Sequence, residues 1–313
     1  MTLEALQKGV CLKPYSTLRA GGAAQYLIEV GGAEELARVA KFALGQDLPL
    51  TWLGYGSNVL PSDAGVLGIV VINRGGRVKV SRGGEVVVDT GAAFQELFLK
   101  TAQAGLGGLE FAVGIPGSVG GALVSNAGAY RSNISEFLTG VEIVDGKGQR
   151  WVDPSYMEFS YRDSVFRRTA GHRAVMTRAT FRLPLRDQKA IFDEAKDYQR
   201  QRISKQPPGP SAGSFFKNVN DPDLALRLDR LPDSLKKAGV VPAGYLIESV
   251  GLKGFRHGGA QLGRRHANFI LNLGNATATE IRDLAAIARL RVRETFGVEL
   301  EEEVLYLGTW KVA

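Results

Sequence analysis

The chain has 313 residues, 44% of them hydrophobic and 23% charged. These proportions fit a globular protein of two or three domains and exclude a disordered or fibrous one. The 39 basic and 32 acidic residues leave a net charge of +7. That suits acidic small molecules, and no Lys/Arg block or aromatic–basic interleaving points to nucleic acid. One cysteine, Cys11, and three histidines exclude an intrachain disulfide framework and give no basis for a zinc site, so no metal is expected. No apolar run of about 18 residues exists to span a bilayer, and no apolar segment follows a basic start. A cytoplasmic protein without membrane partners is the expectation.

Residues 1–15 read as a short helix and a loop. A strand begins near Tyr26, and a helix over 33–44 carries Leu36, Val39, Ala40 and Ala43 on one face. Strands over Leu50–Leu53 and 68–72 follow. Next to the first of these lies Leu53-Gly54-Tyr55-Gly56-Ser57-Asn58-Val59-Leu60. Two glycines bracket the turn, and Ser57 and Asn58 add hydrogen-bonding side chains, which is a phosphate cradle in type. It lacks the third glycine and the acidic residue of the dinucleotide fingerprint, and the Lys-Ser/Thr end of a P-loop. A plain hairpin turn would use the same residues.

A second region opens near Gly75. It has a strand over Glu85–Asp89 and a helix over 93–104 with Phe94, Leu97, Phe98 and Thr101 on one side. The glycine-rich stretch Gly105 to Gly128 follows. Its glycines permit positive φ and close backbone approach, and Pro116 stiffens its middle. The amides around Ser118, Gly120 and Gly121 are candidates to face an anion; a set of structural turns is the plainer reading. A strand over 141–144, a turn at Asp145-Gly146-Lys147-Gly148, a turn or short helix over 154–159 and a half-buried strand over 174–183 complete the region.

A charged helix over 187–203 leads into the stiff Pro207-Pro208-Gly209-Pro210. The loop Ser211 to Asn218, a helix over 243–250 and a strand over 269–271 come next. The longest helix spans 277–296, with an apolar stripe of Ile281, Leu284, Ala285, Ala288, Val292 and Phe296, and Gly297 ends it. A strand over 304–307 follows. The expected regions are 1–75, 76–186 and 187–313.

Three motifs in one order carry a resemblance: Thr17-Leu18-Arg19-Ala20-Gly21-Gly22, then Gly54-Tyr55-Gly56-Ser57-Asn58-Val59-Leu60, then Gly114-Ile115-Pro116-Gly117-Ser118-Val119-Gly120-Gly121-Ala122 with Asn126-Ala127-Gly128-Ala129. The chain resembles the UDP-N-acetylenolpyruvoylglucosamine reductase family of vanillyl-alcohol-oxidase-like flavoproteins, and the likeness continues to the C-terminus. It looks like the shorter branch, in which no tyrosine can be assigned as a lid. The resemblance implies an α+β fold built of α/β units, two holding FAD and a third α/β domain covering the flavin and binding the UDP-sugar. It implies NADPH as co-substrate, an enolpyruvyl UDP-sugar as substrate, and a place in bacterial peptidoglycan precursor synthesis. The FAD-binding positions it marks are Gly54, Tyr55, Gly56, Ser57, Asn58, Val59, Leu60, Gly114, Ile115, Pro116, Gly117, Ser118, Gly121, Ala122, Asn126, Gly128 and Ala129. No histidine lies near them, so non-covalent FAD is expected.

Reducing an enol ether that bears a carboxylate needs a hydride at the terminal carbon and a proton at the carbon carrying the carboxylate. The site must hold that carboxylate and stabilise the charge that spreads into it. Arg162, in Tyr161-Arg162-Asp163, can grip a carboxylate with two parallel bonds, and the resemblance places it there. By resemblance Ser214, in Gly-Ser-Phe-Phe, donates the proton. The family pattern Leu-Glu-Pro-Glu-Val corresponds to Leu300-Glu301-Glu302-Glu303-Val304. Counting back from the valine gives Glu303 as the catalytic carboxylate, with Glu301 on the same face as the alternative. Tyr161, Lys205, Lys217, Asn218, Glu248 and His266 are the substrate-binding candidates, the lysines suiting a diphosphate. An FAD-dependent alcohol oxidase of the same fold, or a non-catalytic basic module, are the rivals. A monomer is expected.

Overall fold

The structure, a computed structural model, describes residues 2–168 and 174–310. The chain packs into two units. The first takes Met1–Val10, Ala24–Gly56 and Val66–Ser204; the second takes Cys11–Ala23, Ser57–Gly65 and Lys205–Ala313.

The first unit holds two sheets. In one, strand Ala23–Val30 runs parallel to Val66–Asn73, which runs parallel to Leu50–Leu53. Gln7–Cys11 adds an edge strand. Residues 1–15 therefore contain a strand where a loop was expected. All five of its residues are exposed or half-buried, so it carries no apolar alternation to announce it. The helix Ala33–Gly45 covers this sheet. Its Leu36, Val39, Ala40 and Ala43 are buried with Ile69 and Val71, and Glu34 and Glu35 in its first turn favour the helix dipole.

The other sheet is antiparallel, in the order Gly148–Val152, Leu138–Asp145, Val175–Arg182, Glu85–Asp89, Val78–Val80. The Asp145 to Gly148 turn joins its first two strands. Phe94, Leu97 and Phe98 of the helix Phe94–Gln103 enter its core with Phe111, Ile143, Met176 and Phe181.

The second unit is organised around the helix Ala278–Phe296. Thr277 and Glu280 form a reciprocal capping box at its start, and Gly297, at φ 71°, ends it. Ile281, Leu284, Ala285, Ala288 and Val292 are buried among Phe215, Phe216, Leu246, Ile247 and Ile270. Around it lie the short antiparallel strands Arg256–His257, Ala260–Leu262 and Ile270–Asn272, and the pair Val219–Asn220 with Val240–Val241. Two early segments complete the unit. Val59–Pro61 pairs in parallel with Leu305–Leu307. Asn272 donates to the carbonyl of Leu18 at 2.8 Å while accepting from the amides of Gly274 and Ala276.

Candidate active site

In the first unit two of the motifs meet. A Cβ placed on Gly54 would stand 2.1 Å from Ser118 Oγ and 2.6 Å from its Cβ, so only glycine lets the turn after strand Leu50–Leu53 lie against Ser118. Gly120 is also closely packed, a Cβ there standing 3.1–3.2 Å from Thr90 and Trp52. Arg74 donates from Nη1 to the Gly54 carbonyl at 2.8 Å and lies 4.7 Å over the Tyr55 ring, fixing the turn from the other side.

The glycine-rich stretch departs from expectation. Val119–Val124 is a short helix capped by the Ser118 hydroxyl. The amide of Val119 donates to Ala92 O, that of Gly120 to Thr90 O and that of Gly121 to Ser118 Oγ. Gly120 and Gly121 therefore cannot turn these amides to an anion. Their glycines serve close packing instead, and the helix is imposed by neighbours rather than by propensity. The amides of Gly114 and Ile115 donate to Gln95 Oε1 and Ala112 O. Among residues 114–122, the amides of Gly117 and Ser118 are left without an acceptor, and Gly117 sits at φ 132°.

Beyond the helix, Asn126 adopts φ 41° and donates from Nδ2 to Ser160 O at 3.1 Å. Its Oδ1 is buried without a donor. Ser164 Oγ donates to Val124 O at 2.7 Å. These two bonds tie the glycine-rich segment to the turn Ser160 to Asp163, which closes on itself with two backbone bonds of 3.2 Å. Arg162 occupies the third place of that turn at φ 56°, where glycine is ordinary and a long side chain is strained. Its guanidinium lies 5.7 Å from the centre of the half-exposed Tyr161 ring. Asp163 is committed elsewhere, to Arg168 at 2.8 Å.

In the second unit, the segment that follows Gly213 runs antiparallel to residues 301–303. Lys217 N donates to Glu301 O at 2.8 Å, Glu303 N donates to Phe215 O at 2.7 Å, and Phe216 stands opposite Glu302. Ser214 is thus one residue from the position facing Glu303. Asn58 Nδ2 holds the Glu303 carbonyl at 3.0 Å. The three glutamates separate clearly. Glu301 bonds Lys217 Nζ at 2.5 Å. Glu302 is largely buried beside Arg289 and Tyr306, and burial, partly offset by Tyr306 and Arg289, raises its pKa above the usual carboxylate range. Glu303 is held through its backbone, its N–H by Phe215 O and its carbonyl by Asn58.

Sequence reading missed Asn268. Buried, it accepts from Phe216 N and donates to Phe216 O, while its own carbonyl accepts from Phe215 N. It splints the backbone that carries Ser214. A polar residue alternating into the apolar run 267–271 was the available signal.

The other candidates are placed as follows. Asn218 Oδ1 accepts from Ala243 N at 3.3 Å, and Glu248 pairs with Lys253 at 2.6 Å. His266 accepts at Nδ1 from Asn268 N at 3.3 Å, which leaves its proton on Nε2. Burial, then the Lys205 charge, hold its pKa below the ordinary imidazole value against the pull of Glu248. The motif glycines Gly21 and Gly22 press against Pro61 and Asp63, so that motif is packing within this unit. Among the described residues no group of three or more His, Cys, Asp or Glu could hold a metal ion, and no helix is long and apolar enough to cross a membrane.

Comparison with known proteins gives two family matches: an FAD binding domain over residues 24–152, and the C-terminal domain of UDP-N-acetylenolpyruvoylglucosamine reductase over residues 202–307. A UDP-N-acetylenolpyruvoylglucosamine reductase from Synechococcus sp. (strain JA-3-3Ab) is 38% identical over 309 residues, covering 97% of this chain and 92% of the relative. One from Thermotoga maritima is 36% identical over 295 residues, covering 94% and 95%. A crystal structure of UDP-N-acetylenolpyruvylglucosamine reductase from Thermus caldophilus superposes with TM-score 0.76 at 33% identity, covering 96% of this chain and 99% of that one.

Proposed function

The chain belongs to the UDP-N-acetylenolpyruvoylglucosamine reductase family, and from that premise we propose how its residues divide the work. It is an FAD-containing oxidoreductase that uses NADPH to reduce the enolpyruvyl ether of UDP-N-acetylglucosamine to UDP-N-acetylmuramate, a peptidoglycan precursor. The FAD-binding domain is of the vanillyl-alcohol-oxidase type.

The observation that supports the cofactor assignment is the packing of Gly54 on Ser118, with the Gly117 and Ser118 amides beside it. The Gly117 and Ser118 amides without acceptors and the donorless Asn126 Oδ1 fit a polar, phosphate-bearing group. In this reading the Gly54 to Leu60 and Gly114 to Ala129 segments hold FAD, residues 1–75 and 76–186 form the cofactor-binding halves, and 187–313 binds the sugar nucleotide. FAD, when bound, supplies the hydride chemistry.

The side chains do the rest. Arg162 receives the enolpyruvyl carboxylate with two charge-assisted bonds. Glu303 steadies the same end of the substrate. Ser214 Oγ gives its proton to the carbon bearing the carboxylate, and the alkoxide left behind regains a proton from water. Lys205, Lys217 and Asn218 bind the diphosphate; for Lys217 that requires its pair with Glu301 to open. Tyr161, Glu248 and His266 complete the substrate contacts, His266 as a neutral Nε2–H donor. We place the enzyme in the cytoplasm, acting as a monomer without nucleic-acid or membrane partners.

The test is direct. Purified protein should be yellow, NADPH should bleach it anaerobically, and the enolpyruvyl sugar should restore the colour. Rapid restoration by oxygen, with the sugar inert, would instead mark an oxidase. A colourless protein that cannot be reconstituted would end the assignment.

A further inference from the structure

Arg202 lies in the helix Gln188–Lys205, within the first unit. Its guanidinium sits 5.6 Å from the centre of the Tyr130 ring. Tyr130 in turn stacks on Tyr198, ring centres 3.8 Å apart and planes within 6°, and donates its hydroxyl hydrogen to Tyr198 O at 3.0 Å. The base of this stack is therefore rigid. The arginine stem passes close to the Gly-Ile-Pro-Gly motif: a Cβ on Gly114 would stand 3.2 Å from Arg202 Cδ.

What the guanidinium lacks is a partner of opposite charge. Its one hydrogen bond is a long contact, 3.3 Å, from Nη2 to Phe111 O. Its Nε is buried with no acceptor. Among the described residues it makes no ion pair with a carboxylate within 4 Å. Burial, above all, lowers its pKa; Tyr130 opposes this, and the like charge of Arg162 adds to the lowering.

A half-buried cation next to another cation, with an unsatisfied donor, is expensive for a side chain whose only task is to fill space over a tyrosine. A methionine would fill the same volume without desolvating a charge. Arginine at this place is explained if an oxyanion brings the missing charge and acceptors.

We propose that Arg202 is an anion-binding residue of this site, taking a phosphate or carboxylate oxygen of a ligand beside Gly114 and Arg162. The inference rests on the functional reading above and adds a residue to it. Both phosphate of the dinucleotide and carboxylate of the substrate have the required chemistry, and binding measurements separate them.

The experiment uses R202M, which keeps the stacking volume, and R202Q, which keeps a donor for Phe111 O. Wild type and variants are stripped of flavin, and FAD affinity is measured by quenching of flavin fluorescence. The reconstituted enzymes then give KM and kcat for the enolpyruvyl sugar. An FAD dissociation constant raised about tenfold or more, with KM unchanged, assigns the anion to the dinucleotide. A KM raised about tenfold or more, with FAD affinity and kcat unchanged, assigns it to the substrate. Both constants within about twofold of wild type, in whichever variant retains the wild-type melting temperature, would overturn the proposal. If wild type itself binds no FAD, the functional reading fails instead.

Discussion

Gly54 and Ser118 are 64 residues apart in the chain and touch without room for one methyl group: a Cβ on Gly54 would meet Ser118 Oγ at 2.1 Å. Gly54→Ala should therefore lower both stability, by about 1–3 kcal/mol from overpacking, and flavin content. The contact makes a sharper forecast. In a Ser118→Gly background the obstructing side chain is gone, so adding Gly54→Ala should do less damage than it does alone. The absorbance ratio at the flavin and protein bands, with thermal melts of the four proteins in the cycle, checks this. Strict additivity would show that the two segments are not packed as described.

Arg162 is held at φ 56° by its turn. Arg162→Gly relieves a left-handed strain of about 1 kcal/mol and removes the guanidinium. The melting temperature should hold or rise slightly, while kcat/KM for the enolpyruvyl sugar falls by about 100-fold or more. Flavin reduction by NADPH should be unchanged. Arg162→Lys should recover little, because one ammonium cannot reproduce the paired bonds.

Glu301 and Glu303 make opposite forecasts. The Glu301 carboxylate is exposed and tied to Lys217, whereas the backbone of Glu303 is fixed by Phe215 and Asn58. Glu303→Gln should reduce turnover by about 100-fold or more, in the manner of a lost group at the reacting centre. Glu301→Gln should leave kcat within a few fold and change KM modestly through Lys217. Steady-state kinetics on the pair decide, and a reversed order would reassign the carboxylate.

Asp63 accepts from Ala278 N at 2.9 Å, Thr279 N at 2.8 Å and Thr279 Oγ1 at 2.7 Å, at the start of the longest helix. Burial pushes its pKa up, but these bonds, with the Lys13 charge, outweigh it and leave the carboxyl below its ordinary value. A carboxyl lowered on folding stabilises fully above the unfolded pKa, near 4, and loses that contribution as pH falls through the folded value. Asp63→Asn should thus cost about 1–2 kcal/mol at neutral pH. Urea unfolding of the two proteins should show the gap narrowing as pH falls below the unfolded carboxyl's value, near 4. A gap independent of pH would mean the charge is not what anchors the helix.

The elements with a strong period were legible from residues alone. The helices Ala33–Gly45, Phe94–Gln103 and Ala278–Phe296 each bury one stripe, and the Asp145 to Gly148 turn follows from its own glycines. Short pieces were not. Strands of two or three residues have no room for a period, and one such as Val59–Pro61 exists because residues 305–307, far along the chain, pair with it. The helix Val119–Val124 contains two glycines and forms because Ala92 and Thr90 take its first amides. At the site, motif residues such as Gly54 and Ser118 could be read in order, but what each one bonds could not. Ser118 spends its hydroxyl on a cap, and Asn58 spends its amide on Glu303. Arg202 stood in no motif, since its meaning comes from an absent counter-charge.

Leu305–Leu307 completes a ladder with Val59–Pro61, and Asn272 holds Leu18, so the second unit joins segments that lie far apart in the chain. During vectorial synthesis, Leu18 lacks this partner until residue 272 has emerged from the ribosome, and Val59–Pro61 lacks its own until residues 305–307 have. An amber stop introduced at position 300 should then leave those early segments open to a protease that spares the finished protein.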